Sequence, residues 1–151
     1  MRVRKGAGLV AAGALLLLPS ACGSKESDGG SDLSTAADTS TCVAGASQVT
    51  DFPAGYPRDF PLPHGTVLFH VEDRGADGVI ATGVTSTAFQ DVLAELNGPA
   101  QKAGYQVTSG ETEDHDAEAN WTGNGYTGRW AIRESSSCPG ETVVQLLSKK
   151  A

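Results

Sequence analysis

The chain is predicted to form one α+β domain: an antiparallel sheet of five to six strands with one kinked helix packed on one face. Three observations predict it. Residues 66–72, 79–85, 105–111 and 142–147 carry β-branched and apolar side chains in short runs bounded by turn residues, the pattern of half-buried strands. Residues 87–103 carry apolar side chains at helical spacing, interrupted once by Gly98-Pro99. Asn124-Gly125 lies between two further apolar runs and is the preferred two-residue hairpin turn, since both positions need positive φ. Tight turns between strands favour antiparallel pairing, but strand order does not follow from the sequence.

The chain begins with Arg2, Arg4 and Lys5, followed by an apolar run from Gly6 to Leu18 and the small residues Ser20 and Ala21. This is the layout of an export signal. The apolar run is shorter than the ~20 residues that span a bilayer, so removal is expected rather than retention as a membrane helix. Residues 1–21 are read as signal peptide, 22–41 as anchor and tether, and 42–151 as the globular domain.

Leu18-Pro19-Ser20-Ala21-Cys22-Gly23-Ser24 resembles the lipobox of bacterial lipoproteins, in which a small pair precedes a cysteine. Ser20 and Ala21 match; Pro19 stands where that family carries an aliphatic residue. The resemblance implies that Cys22 becomes the first mature residue and its thiol carries a diacylglyceryl group. The domain would then be held on the extracytoplasmic face of the cell membrane, because two acyl chains anchor stably where one is marginal. Residues 56–63, Tyr-Pro-Arg-Asp-Phe-Pro-Leu-Pro, are also similar to openings of small actinobacterial lipoproteins of unassigned role, which implies no activity.

There are three cysteines, an odd number that needs an explanation in an exported protein. Lipidation of Cys22 supplies one and leaves Cys42 and Cys138 to pair in an oxidising compartment. The whole chain has 11 Lys+Arg against 18 Asp+Glu, a net charge of -7. Loss of the three leader cations leaves eight against eighteen, a net of -10. Such a surface repels nucleic-acid phosphates and anionic head groups, so neither nucleic acid nor a surface-lying basic helix is expected.

Residues 23–41 hold a single large apolar residue, Leu33, and read as a tether whose ends average ~25 Å apart. Four large apolar residues, Phe52, Tyr56, Phe60 and Leu62, each precede a proline. Proline biases its predecessor toward extended geometry, so a stiff non-helical strap is expected, its aromatics covering one edge of the core or offering a docking surface.

In the first strand, alternation places Val67, Phe69 and Val71 on one face and Leu68, His70 and Glu72 on the other. Residues 73–78 form a turn before the second strand. Thr87 with Gln90 three residues on predicts a capping box opening the helix. Phe89, Val92, Leu93, Leu96, Ala100 and Ala103 fall on one stripe that keeps phase across the Pro99 break, and Gly104 suits the helix stop. Tyr105 and Val107 then point inward. Pairing outward from Asn124-Gly125 sets Thr122 opposite Thr127, Trp121 opposite Gly128, and Asn120 opposite Arg129. Ala119, Trp121, Tyr126, Trp130 and Ile132 thus share the core face. A slip of one residue would bury the arginines and expose both tryptophans.

No catalytic residue, cofactor or metal site is assigned. Residues 123–128 spell G-x-G-x-x-G, but the nucleotide-binding version needs a helix to follow, and a strand pattern follows here. Glu111, Glu113, Asp114, Asp116 and Glu118 form the best ion candidate; Ala119 and Gly125 occupy the positions where a calcium loop needs glycine and glutamate. His64, His70 and His115 lack zinc-ligand spacing, and no nucleophile-elbow sequence places a serine. The expected function is a non-catalytic, membrane-tethered module that binds an envelope partner through the proline strap or the acidic loop. The alternative is a calcium-binding or enzymatic envelope lipoprotein using residues 111–118.

Overall fold

The computed structural model describes residues 41–151; the expectations for the signal peptide, Cys22 and the tether fall outside the described residues. The element order is β1 (Val67–Asp73), β2 (Val79–Thr85), α1 (Phe89–Asn97), α2 (Pro99–Lys102), β3 (Gln106–Thr112), β4 (Asp116–Gly123), β5 (Tyr126–Glu134) and β6 (Thr142–Lys150). The six strands form one antiparallel sheet in the order β1-β2-β6-β5-β4-β3. The C-terminal strand therefore lies at the centre, where it joins the N-terminal β1-β2 hairpin to the β3-β4-β5 meander. That closure is long-range, which is why no local pattern reveals it. β6 also runs to Lys150, three residues beyond the expected end.

The hairpin follows the predicted register, with Thr122 opposite Thr127, Trp121 opposite Gly128 and Asn120 opposite Arg129. Asn124 has φ 50° and Gly125 φ 80°, as the turn requires. Gly128 leaves room for the indole: a Cβ there would sit 2.5 Å from Trp121 Cζ2 and closer still to the Leu147 carbonyl.

The helix kinks where expected. Gly98 lies between α1 and α2, Pro99 opens α2, and Phe89, Val92, Leu96 and Ala100 are buried. Ala103 lies past the end of α2 and is exposed, so the stripe ends at Ala100. The capping box does not form. Ala88 occupies the N-cap position, and the Thr87 hydroxyl instead donates to His64 O at 3.0 Å. Thr87 is held by the strap and by β6, with Thr142 Oγ1 donating to its carbonyl at 2.9 Å, and those tertiary bonds outcompete the local cap.

β1 departs from simple alternation. A bulge between Leu68 and His70 adds one residue, so Leu68 and Val71 both face the core while Val67 falls on the opposite face. The strap is not a straight rod either. Pro53, Pro57 and Pro63 each accept an i+3 amide, from Tyr56 (3.1 Å), Phe60 (3.0 Å) and Thr66 (3.1 Å), making three successive turns. These turns point Tyr56 and Phe60 into the core. Phe60 meets Tyr105 at 4.9 Å and Trp121 at 5.1 Å between ring centroids, and Tyr105 stands edge-on to Trp121 at 5.4 Å.

Gly128→Ala is expected to cost about 2–3 kcal/mol, because the methyl must displace either the indole or the β6 backbone. Urea unfolding of the two proteins side by side measures it.

Candidate functional site

Cys42 and Cys138 are joined in a disulfide with Cα atoms 5.7 Å apart and a sequence separation of 96. Ser135 Oγ accepts the Cys138 amide at 3.1 Å, and Glu141 Oε2 accepts the Val43 amide at 2.9 Å. From this clasp the chain passes to the outer edge of β1, where Val49 N donates to Leu68 O (2.7 Å) and Gln48 Oε1 accepts from Leu68 N (3.2 Å). Among the described residues, Cys42, Cys138 and Glu141 are the group whose potential metal-ligand atoms lie within 4.8 Å of one another. With the sulfurs bonded to each other, neither is a thiolate ligand.

The acidic run lies on β3, the β3–β4 turn and β4, and its carboxylates do not converge. Arg133 Nη2 meets Asp116 Oδ2 at 2.8 Å, and Arg129 pairs with Glu118, both across the β4–β5 ladder. Two of the five acids are thus neutralised by cations that a sequence scan of acids alone leaves out. The remaining turn forms a hollow of about 480 Å³ lined by Glu113, Asp114, His115, Asp116 and Arg133. His115 Nδ1 lies 2.9 Å from Glu134 Oε2, an exposed pair of the kind that contributes little. His64 and His70 lie elsewhere: the His64 amide donates to Glu95 Oε2 at 2.6 Å, and His70 in β1 pairs with Thr82 of β2.

A second hollow, also about 480 Å³, opens between the start of the strap and the outer edge of β1. Phe52, Phe69 and Val71 supply its apolar surface, and Asp51 and Asp73 its charge. Phe52 is held by its stack on Tyr56 at 4.6 Å and by Arg58, whose guanidinium lies 5.7 Å from the ring and donates to Phe52 O at 2.9 Å. Sequence reading missed this groove. Phe69 enters it from the bulged part of β1, and Phe52 from the strap where it turns back at Pro53.

The strap is clipped to the hairpin tip through Asp59. Tyr105 donates its hydroxyl to Asp59 Oδ1 at 2.6 Å, and Asn124 Nδ2 donates to Asp59 Oδ2 at 3.3 Å and to Ala103 O at 3.1 Å. Burial, reinforced by the Asp59 carboxylate, pushes the Tyr105 phenol up to about 12. Burial also pushes Tyr56 up to about 12, with the neighbouring Tyr105 adding to it. Both rings serve as neutral packing groups.

No family model, curated protein or solved structure matches the chain.

Two outcomes follow from this geometry. The phenols of Tyr56 and Tyr105 are held neutral in the fold, so their contribution is complete below pH 10 and is lost as pH rises from 10 through about 12. Ultraviolet titration should show these two phenolates appearing near pH 12, together with unfolding. Replacing both Cys42 and Cys138 by alanine should lower stability by about 2–5 kcal/mol, near the upper end because the bridge closes a long loop. Calorimetry of the double variant checks it.

Proposed function

We propose that this chain is a bacterial lipoprotein of the cell envelope, anchored through acylated Cys22, whose sheet domain binds a partner and performs no chemistry of its own. The observation that carries the reading is the Cys42–Cys138 disulfide. A bridge closing nearly the whole domain fits an oxidising compartment and leaves Cys22, next to the leader, as the one cysteine outside it. An acidic domain on a polar tether stands off an anionic membrane by charge repulsion, which leaves its surface open to a partner.

The groove between strap and β1 supports the binding role, since it joins an apolar floor to two carboxylates at an open surface. The acidic turn supports it less, because its arginine partners already compensate much of its charge.

Mass spectrometry of the native protein is expected to show a chain starting at Cys22 with a diacylglyceryl adduct. Cys22→Ala should move the protein from the membrane fraction to the soluble one. An unmodified chain starting elsewhere overturns the anchor. Crosslinking on native membranes, followed by pull-down, is expected to recover a partner above background.

A further inference from the structure

We infer that the outer edge of β1 accepts an added strand, and that its partner is an extended peptide segment alternating apolar residues with lysine or arginine. Among the described residues β1 is an end strand of the sheet, and β2 is the one strand it pairs with. Arg74 N donates to Gly78 O at 2.8 Å, which makes 74 and 78 a hydrogen-bonded pair of the antiparallel ladder. Bonded and non-bonded pairs alternate, so Glu72 and His70 turn their main-chain groups toward β2. Val71 and Asp73 turn theirs away. Among the described residues, the outward N–H and C=O of these two residues meet no protein partner.

The chain already uses this edge in the same way one step earlier. Leu68 faces outward too, and its two main-chain groups are taken by Val49 N and the Gln48 side chain. The segment then leaves the edge at Thr50 and re-forms as the wall of the groove, with Asp51, Phe52 and Pro53 across from Phe69, Val71 and Asp73. An incoming strand would continue the pairing that residues 48–49 begin. Its main chain would bind Val71 and Asp73, and an alternate apolar side chain would enter beside Phe52 and Phe69.

Charge selects the partner. Asp51 and Asp73 flank the slot on a strongly acidic domain, and Asp73 also holds the turn by accepting Gly75 N at 2.9 Å. The nearby Glu72 is matched by Arg74 at 3.0 Å, and Arg58 is committed to the strap. Two copies pairing β1 against β1 would bring these carboxylates together, which disfavours a second copy of this chain. A segment bearing lysine or arginine beside its apolar residue satisfies both features.

This assignment rests on the proposed binding role, and its failure is separable. An acylated Cys22 with no peptide binding removes only the edge assignment. The test uses the full chain in detergent and a fluorescein-labelled octapeptide of alternating lysine and valine, followed by fluorescence anisotropy. Saturable binding is expected, at least tenfold tighter than for the glutamate–valine counterpart. Val71→Pro removes an outward N–H that β2 does not use, and should weaken binding at least tenfold and more than Val71→Ala, which trims the same side chain but keeps that N–H. Asp51→Lys should weaken it severalfold, and this variant stands in if Val71→Pro does not fold. Bound peptide should also slow hydrogen exchange of the Val71 and Asp73 amides. No saturable binding, equal binding by Val71→Pro and Val71→Ala, unchanged exchange at those amides, or a β1-dependent dimer by sedimentation would each overturn the inference.

Discussion

The close approach of Trp121 to Gly128 is the constraint on which the rest of the domain depends. The indole lies flat enough on the opposite strand that no side chain fits beneath it, and this locks the β4–β5 register. With the register locked, Trp121 presents its outer surface to Phe60 and Tyr105, and these three rings form the centre of the core. Phe60 belongs to the strap and Tyr105 to the end of the helical segment, so one cluster of three rings brings three parts of the chain together. The tryptophans are selected here for packing: Trp121 Nε1 and Trp130 Nε1 are both buried without a hydrogen-bond partner. That costs on the order of 1–3 kcal/mol for each group, against the large apolar area such rings bury.

Around this centre the structure is tied by a few bonds of long sequence range. Asn124 adopts the positive φ of the hairpin and its side chain reaches both Ala103 O and Asp59, so the same residue shapes the turn and fastens it. Ser148 Oγ donates to Gly55 O at 3.1 Å, fixing the strap to the central strand. The disulfide closes the opposite end. Strap and helix cover one face of the sheet, and the strap's first residues are left to build the wall of the groove beside β1.

That division shows how binding surface arises from a structural element. The aromatics of the strap do not all have the same use: Tyr56 and Phe60 are spent on the core, whereas Phe52 is only partly buried and stays at the rim. Arg58 steadies it there. On the strand side, Phe69 at the bulge of β1 lines the same rim. A bulge also interrupts an exposed edge, which limits indiscriminate pairing while leaving Val71 and Asp73 presented.

How much was legible in the sequence depended on the range of the interaction. Asn124-Gly125 with its alternating flanks determined the hairpin, its register and the burial of both tryptophans, because turn geometry and hydrophobic period are local. Gly98-Pro99 likewise determined the kink, since proline lacks the amide the helix needs. What only tertiary structure decided were features that distant residues compete for. Thr87 read as a cap until His64 O and Thr142 claimed it, and Asp116 and Glu118 belonged to the best ion candidate, with no metal site assigned, before β5 set arginines beside them. The central place of β6, the bulge after Leu68 and the groove against Phe52 belong to the same class. They arise from where strands and turns meet in space, and a chain read residue by residue carries no record of those meetings.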